Sequence, residues 1–333
     1  MTNTDTRTDI DTGTGDSPET GSGPEAGGSP AAGIDTGAGT GAGIDTVLTG
    51  GARRPGPRDW SVPRPGVVVA AAVLALAAFV AAAPGLLTDA APTDIDPVHA
   101  LAGPGAGHWF GTDQLGRDVF TRVVYGARTS LLLGLAAIGL AVAGGVVLGL
   151  ATALGGRGME RILTWLTDVT LALPPVLLAL LVVAVLGAGT ANTVIAIAIA
   201  LIPVYGRLVR TEAMLVLRSG YVEAAVGLGL RRGVVVARHV LPNALGPVLV
   251  LATVGFGTAL MYASALSFLG LGSSPPSPEW GLMLSEGRDF LQTAWWTGVF
   301  PGAAITGTVI AVTVVGRYAQ ARFAGRVDWR AGR

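Results

Sequence analysis

Long runs of uncharged and mostly apolar residues alternate with short polar segments between residues 65 and 325. A helix crosses ~30 Å of hydrocarbon with about 20 apolar residues. Single runs long enough for one crossing lie in residues 65–88, 129–156, 239–278 and 290–316. Residues 169–206 form one uncharged run of 38 residues, which is too long for one crossing and contains a Gly-rich turn at 187–192. We therefore predict an all-α membrane protein with six transmembrane helices.

The first 60 residues have a different composition from the rest of the chain. They consist mainly of Thr, Gly, Asp, Ser and Pro in loose repetition, and nine of them are acidic. Such a segment buries too little apolar surface to offset its conformational entropy. We expect residues 1–60 to be a disordered leader, followed by the first transmembrane helix at 65–88, a five-helix core at 129–325 and a short tail at 326–333.

Basic residues indicate which side of the membrane each loop faces. The chain has no lysine, and six crossings would place both termini on one side. If that side is the cytoplasm, 18 arginines lie inside, and the four outside are Arg117, Arg122, Arg128 and Arg288. This bias agrees with the positive-inside rule. We predict cytoplasmic termini, an extracellular segment at 89–128 and a long cytoplasmic loop at 207–242.

Composition excludes several kinds of chemistry. The chain has no cysteine, and without lysine it cannot form a Gly-x4-Gly-Lys-Ser/Thr phosphate-binding loop. Its three histidines, His99, His108 and His239, fall in different loops, so no catalytic or metal site is predicted. The centres of the predicted helices carry no charge, whereas ion-coupled carriers place ionisable groups there. An external energy source is therefore favoured over a secondary transporter, a channel or an intramembrane enzyme.

The extracellular segment contains one candidate helix. Thr112 or Asp113 is suited to cap it. An apolar stripe at helical spacing follows, namely Leu115, Val119, Phe120, Val123 and Val124. We expect an amphipathic helix that lies at the membrane interface and continues into the second crossing. Asp113, Arg117 and Asp118 are predicted to form a salt-bridged helix start, with an outer gate as the alternative.

Aromatic and proline residues near the crossings have two expected roles. Tryptophans near the ends of the crossings are predicted to form an interfacial belt, namely Trp109, Trp280, Trp295 and Trp296. Prolines within or near the crossings, such as Pro174, Pro175 and Pro203, are predicted to kink helices.

The cytoplasmic loop contains a short candidate helix. Ser219 is a suitable N-cap, Tyr221 to Leu228 form the helix, and Gly229 is a left-handed C-cap. The helix is slim because Ala and Gly dominate it. With Tyr221 and Leu228 exposed it would fit a groove on a partner protein. The alternative is that it packs on its own membrane domain.

The spacing of residues in this loop resembles a known signature. Glu223, Ala224, Ala225, Gly229, Leu241 and Pro242 match, position for position, the "EAA" signature of permease subunits of ABC importers. Four further runs, GTDQLGRD, YGARTSL, RHVLPN and ALSFLGLGSSPPSPEWGLML, are similar to the second ("C-type") subunit of the dipeptide, oligopeptide and nickel branch. The resemblance covers roughly residues 65–325.

The resemblance implies an assembly and a fold. The fold would be a type I ABC importer permease bundle in a bacterial cell membrane. Two permease subunits would form the pathway, two ATPase subunits would hydrolyse ATP with Mg²⁺, and an extracellular solute-binding lipoprotein would deliver the substrate. This chain would then be no enzyme, would bind no cofactor or metal itself, and would contact the lipid bilayer and no nucleic acid.

The resemblance also assigns residues and a cargo. The helix that couples to the ATPase would comprise Tyr221, Glu223, Ala224, Ala225, Leu228 and Gly229, with Leu241 and Pro242 setting the return angle into the fifth crossing. A second family motif would be formed outside by Gly111, Thr112, Asp113, Gly116, Arg117 and Asp118. Di- or oligopeptides are the expected cargo, with nickel or another small solute as the alternative.

Overall fold

The computed structural model describes residues 65–331, with side chains described as far as Arg322. The predicted leader at 1–60 and residues 332–333 lie outside the described residues. Regular structure in the described part is helical, and the helices are α1 (Pro65–Ala82), α2 (Val119–Leu154), α3 (Arg157–Ala172), α4 (Pro175–Leu186), α5 (Thr190–Leu217), α6 (Gly220–Gly227), α7 (Arg232–Val235), α8 (Leu241–Phe268), α9 (Trp280–Gly287) and α10 (Trp296–Ala331). Helix α10 continues into the segment expected to be a tail.

Five continuous helices in the described part are long and apolar enough to cross a membrane. They are α1, α2, α5, the continuous helix Arg232–Phe268 that includes α7 and α8, and Trp296–Arg322 of α10. The sixth predicted crossing is broken. Helices α3 and α4 pass the same test only together and are bent by 100° at Leu173 and Pro174. Proline lacks an N–H donor, and its ring disfavours helical backbone angles at the residue before it. The Pro174–Pro175 pair therefore ends α3.

Helices α2 and α5 pack closely and run parallel. A Cβ atom on Gly145 would lie 2.4 Å from the Cβ atom of Tyr205. A Cβ atom on Gly149 would lie 2.6 Å from the Cβ atom of Val209. Residue numbers therefore rise together along the two helices. Small residues permit this close approach. Van der Waals packing at such contacts drives the association of membrane helices, because the hydrophobic effect does not act between helices in lipid.

Helix α8 runs antiparallel to α5. Near one end of the pair, the Thr193 hydroxyl donates to the Leu271 carbonyl at 3.0 Å. Further along, a Cβ atom on Gly255 would lie 1.9 Å from the hydroxyl oxygen of Tyr205. The apolar core lies where α2, α4, α5 and α8 meet, and its buried members include Leu133, Ala137, Ile197, Leu201, Val248 and Leu266.

The return from the loop into α8 is made differently from the prediction. Pro242 lies in the first turn of α8, but the helix begins already at Arg232 and passes through a π-helical turn at Val236–Val240. The Leu241 N–H donates to the Val236 carbonyl, five residues back. Pro242 therefore lies in the first turn of α8 and within a longer helix that is continuous from Arg232, and the left-handed Gly229 precedes that helix.

Candidate functional site

The loop helix α6 packs on the membrane domain by one narrow face. Val222 and Ala225 are buried, and they are the only two buried residues of α6. Val222 joins a small apolar cluster with Ala213, Val235 and Val240, which come from α5 and from the helix that follows the loop. Ala225 of the predicted motif therefore faces inward, while Glu223 and Ala224 are exposed.

The end of α6 is a Schellman motif built on Gly229. Gly229 has a φ of 82°, a conformation that side chains with a Cβ rarely adopt. Its N–H donates to the Val226 carbonyl at 2.9 Å, and the Leu230 N–H donates to the Ala225 carbonyl at 3.2 Å. These two bonds satisfy carbonyls at the helix end. The left-handed Gly229 predicted from the sequence is present.

The start of α6 is close to the prediction, but the cap differs. The helix covers Gly220–Gly227, one residue earlier at each end than expected. Ser219 stands at the N-cap position, yet its hydroxyl donates to the Val216 carbonyl at 2.5 Å. The Ser219 carbonyl accepts the N–H groups of Val222 and Glu223. The serine therefore links α6 to the end of α5 instead of capping α6 with its side chain.

The outward face of α6 is apolar with one carboxylate. Tyr221 is 50% exposed and Leu228 is 83% exposed, and Val226 lies exposed between them. The Tyr221 hydroxyl accepts a hydrogen bond from Asn243 Nδ2 at 3.4 Å, and its ring lies 6.0 Å from the ring of His239. These contacts tie the start of α6 to the start of α8. The exposed apolar face is thus held in a fixed position.

An apolar groove of about 670 Å³ runs beside α6. It lies between the end of α2, α6 and the helix after the loop, and its lining includes Leu154, Leu217, Val226, Val235 and Leu241. Leu241, named by the signature, is therefore part of this groove, whereas Pro242 is an exposed residue of α8. The predicted residues of the loop thus lie around one surface, which we call the α6 surface (Tyr221–Leu241).

The second candidate motif, residues 111–118, forms a tight loop before α2. The Asp113 carboxylate accepts the backbone N–H groups of Leu115 and Arg117 at 2.8 and 3.0 Å. It also bonds Arg117 Nε and Arg122 Nη1, both at 2.6 Å. Gly116 has a φ of 76°, and a Cβ atom there would lie 1.8 Å from the Asp96 carbonyl oxygen. Gly116 is therefore required by both its backbone conformation and its neighbour.

A buried cluster of four charges joins this loop to α9. Arg122 Nη1 and Arg117 Nη2 bond Glu286 Oε2 at 2.8 and 3.1 Å. The arginine side chains are 2% exposed, that of Asp113 is 4% and that of Glu286 is 14%. Two positive and two negative groups balance, as buried charges require. Sequence reasoning missed Arg122 and Glu286, because Glu286 lies more than 160 residues from its partners in the chain.

The predicted cap of the helix that leads into the second crossing is wrong. Asp118 caps α2, since its carboxylate accepts the Thr121 N–H at 2.8 Å. Thr112 and Asp113 lie before the helix, and the Thr112 hydroxyl donates to the His99 carbonyl. The predicted continuation into the second crossing is present, since α2 runs unbroken from Val119 to Leu154 and only Leu115 of the predicted stripe lies before it. Gly111, with a φ of 74°, lies against Trp296.

Two of the four tryptophans predicted to lie at the interface are buried inside the protein. Trp280 Nε1 donates to the Val123 carbonyl at 2.9 Å, and Trp296 Nε1 donates to the Thr112 carbonyl at 2.9 Å. Trp109 and Trp295 are exposed. The belt interpretation is wrong for Trp280 and Trp296, whose indole groups instead connect α9 and α10 to the segment around the start of α2.

Glu279 is a further buried acid that sequence reasoning missed. Its carboxylate accepts the N–H groups of Gly281 and Leu282 at 2.8 and 2.9 Å and so caps α9. Burial raises the pKa of Glu279 above its ordinary value, against the lowering effect of these hydrogen bonds. Ser130 Oγ lies 3.4 Å from the same carboxylate. The described residues contain no group of three potential metal ligands.

Comparisons with known proteins agree with the signature in the loop. The sequence profile of the family described as "Binding-protein-dependent transport system inner membrane component" matches residues 145–329. The dipeptide transport system permease protein DppC of Alkalihalophilus pseudofirmus is 44% identical over 75% of this chain and 81% of its own length. The probable D,D-dipeptide transport system permease protein DdpC of Escherichia coli is 41% identical over 68% of this chain and 76% of its own.

Other similar proteins are named for different substrates. The glutathione transport system permease protein GsiD of Shigella flexneri is 43% identical over 64% of this chain and 71% of its own length. Among solved structures, an inward-facing MetNI methionine ABC transporter is similar with a TM-score of 0.47 and 20% identity, over 63% of this chain and 95% of that chain.

Proposed function

The chain belongs to the family of binding-protein-dependent transport system inner membrane components, and we propose that it is the permease subunit of an ATP-driven importer. The observation that carries the proposal is the match of residues 145–329 to this family, a range that includes the whole α6 surface. In this role the chain performs no chemistry and binds no cofactor or metal of its own. ATP and Mg²⁺ act on partner ATPase subunits.

We propose that α6 couples this subunit to one ATPase. Its exposed apolar residues, Tyr221, Val226 and Leu228, have the composition of a helix that inserts into a groove. Because the start of α6 is bonded both to the end of α5 and to the start of α8, a movement of its partner is transmitted to two membrane helices. The free energy that drives this movement comes from contacts between α6 and the ATPase that differ between the ATP-bound and ATP-free states of the ATPase.

Di- or oligopeptides are the proposed cargo. Relatives with 41–44% identity are named for dipeptide transport, and relatives named for glutathione transport follow at similar identity. Glutathione is itself a peptide-like molecule, so an amide-containing cargo is common to both groups. Nickel or another small solute is the alternative from the wider branch. An extracellular binding lipoprotein and a second permease subunit complete the proposed assembly.

We propose a bacterial cytoplasmic membrane as the location, with both termini inside. The arginine bias supports this orientation, and it places the α6 surface on the side where ATP is available. The charge cluster of Asp113, Arg117, Arg122 and Glu286 then lies on the outer side, where the binding protein delivers cargo. The cluster holds the outer ends of α2 and α9 together and is proposed to have that structural role.

The test is dipeptide uptake by proteoliposomes that contain the full complex. The double variant Glu223→Arg, Gly229→Trp is expected to insert and assemble but to lose ATP-driven uptake, because a reversed charge and a bulky residue disrupt the docking surface. Glu212→Arg, which reverses a charge on α5 outside the α6 surface, is the control and should keep uptake. Full uptake by the double variant, or uptake without any ATPase present, would contradict the proposal.

A further inference from the structure

An apolar groove of about 520 Å³ lies between α1, α2 and α8. All three helices belong to segments that are long and apolar enough to cross a membrane. Alanines of α1, leucines of α2 and Phe256 of α8 form most of the lining, and among the described residues that line the groove Arg128 alone is charged. The groove is therefore a membrane-facing apolar surface that contains one cation.

The cation lies at one end of the groove, and the apolar lining continues into the membrane. Arg128 is the last charged residue of α2, so the uncharged part of α2 that crosses the membrane follows it. Leu135 lies about 10 Å further along the helix axis. A Cβ atom on Gly134 would lie 3.1 Å from the ring of Phe256, which places this ring near the level of Leu135. The groove thus has its charge towards the membrane surface and its apolar side chains towards the bilayer centre.

Arg128 differs from the other three arginines that the sequence assigns to the outer side. Arg117 and Arg122 belong to the charge cluster, and Arg288 Nε lies 3.4 Å from the Asp289 carboxylate. In the part of the chain that the structure describes, Arg128 has neither an ion-pair partner nor a side-chain hydrogen bond, and it is exposed. A guanidinium group at the border of the hydrocarbon requires an anion or water as its partner.

Arg128 lies on the face of α2 opposite to the one that packs against α9. Ser130 Oγ accepts the Trp280 N–H at 3.0 Å, and a Cβ atom on Gly126 would lie 2.9 Å from Cδ1 of Trp280. Gly126 and Ser130 are four residues apart and share one helix face, whereas Arg128 is two residues from each and lies on the other side of the helix. The run YGARTSL, which the coupling role does not use, therefore directs an arginine away from the packed interior.

We propose that this groove binds an anionic phospholipid, with the lipid phosphate on Arg128 and an acyl chain along the leucines of α2. The planar guanidinium group forms two parallel hydrogen bonds to phosphate oxygens, and basic pockets between membrane helices bind anionic headgroups. The order of groups along the groove, a cation near the surface and an apolar lining below it, matches the order of phosphate and acyl chain in a phospholipid.

The charge of the groove favours a lipid with a net negative charge over a zwitterionic one. No carboxylate is present among the described residues that line it, so the charge of Arg128 is not compensated within the chain. The proposal requires only that α1, α2 and α8 cross a membrane. It depends neither on the cargo nor on which side of the membrane the termini occupy, and it therefore goes beyond the proposed function.

The test uses the assembled complex in phosphatidylcholine nanodiscs that contain a small fraction of phosphatidylglycerol with a photoreactive diazirine in its acyl chain. After irradiation, mass spectrometry measures the labelling of residues 78–82 and 131–135 with unlabelled phosphatidylglycerol or phosphatidylcholine as competitor. Arg128→Gln removes the cation. Arg288→Gln is the matched control, because it makes the same change at an outer arginine that pairs with Asp289 and does not line the groove.

We expect unlabelled phosphatidylglycerol to suppress labelling of the groove several-fold more than an equal amount of phosphatidylcholine. Arg128→Gln should abolish this preference, and Arg288→Gln should keep it. Equal competition by the two lipids, or an unchanged preference in Arg128→Gln, would overturn the proposal. Labelling elsewhere on the complex with none in the groove would also overturn it, because a partner subunit would then cover this surface.

A second variant applies if Arg128→Gln does not assemble. Leu132→Trp enlarges an exposed side chain that lines the groove and leaves Arg128 in place. It should lower the labelling of residues 78–82 several-fold, and unchanged labelling would contradict binding in the groove. A complex that shows the lipid preference but no ATP-driven peptide uptake would support the lipid site and contradict the proposed function.

Discussion

Two neighbouring glycines at the end of α6 have different backbone requirements. Gly229 has a positive φ of 82°, whereas Gly227 is the last residue of the helix. A Cβ atom at either position would meet no atom within 4 Å. Steric clashes with neighbouring residues therefore do not distinguish the two glycines. Backbone conformation does, because a left-handed residue with a Cβ costs ~1 kcal/mol, while Ala in a helix is favoured over Gly by about 1 kcal/mol.

We therefore expect opposite results from two alanine substitutions. Gly229→Ala should distort the end of α6 and lower ATP-driven uptake, whereas Gly227→Ala should leave uptake unchanged or raise it. Initial uptake rates at equal complex density in proteoliposomes provide the measurement. Equal losses in both variants would contradict the assignment of Gly229 as the residue that fixes the α6 surface.

Glu279 is expected to make stability depend on pH. Because burial raises the pKa of Glu279 in the folded protein, the folded state keeps a proton that the unfolded state loses as the pH rises above the ordinary value of 4.5. Stability contributed by this group is present at acid pH and is lost as the pH rises towards the folded value. Glu279→Gln removes the titration.

The unfolding temperature of Glu279→Gln, minus that of the native chain, should therefore increase from pH 5 to pH 8. Thermal unfolding of the detergent-solubilised protein at a series of pH values measures this difference. Glu223→Gln removes an exposed carboxylate and controls for the loss of one charge. A difference that stays constant over this range would show that Glu279 does not titrate there.

The charge cluster joins two elements, the start of α2 and helix α9. Asp113 bonds both arginines, so Asp113→Asn leaves two buried guanidinium groups facing one carboxylate. Removal of one member of a buried ion pair costs about 3–5 kcal/mol. We expect Asp113→Asn to lower the unfolding temperature strongly or to prevent assembly.

Asp168→Asn is the matched control for Asp113→Asn. Asp168 pairs with Arg207, but both side chains are more than half exposed, so its loss should cost about 0–1 kcal/mol. Thermal unfolding or the yield of folded protein after solubilisation compares the two variants. If Asp168→Asn lowered the unfolding temperature as much as Asp113→Asn, the burial of an ion pair would not determine the cost of removing its carboxylate.

Elements defined by local sequence could be predicted, and those defined by distant contacts could not. The position of α6 and the conformation of Gly229 follow from residues within ten positions, and both are present in the structure. The partnership of Arg122 with Glu286 depends on the packing of α9 against α2, which no local pattern encodes. The prolines at 174 and 175 predicted a kink, but no local pattern in the sequence predicts its angle of 100°.

At the scale of the whole molecule, one continuous helix connects the loop with α9, which contributes to the charge cluster. Arg232–Phe268 begins just after α6 and ends near α9, which carries Glu286. Helix α9 packs tightly on the end of α8, since a Cβ atom on Gly281 would lie 2.6 Å from the Ser264 carbonyl oxygen. We therefore expect movement of the α6 surface to be transmitted to the charge cluster through the close contacts between α8 and α9.

This connection predicts that Gly281→Val uncouples ATP hydrolysis from transport. The added side chain forces α9 away from α8, because overpacking displaces backbone where the opposing atom is a carbonyl that cannot rotate aside. The α6 surface is untouched, so ATP hydrolysis should continue while peptide uptake falls. Gly307→Val on α10 is the control, since a Cβ atom there meets nothing within 4 Å. Parallel loss of hydrolysis and uptake in Gly281→Val would instead indicate misfolding, and unchanged uptake would show that the two sides of the molecule are not joined through α8 and α9.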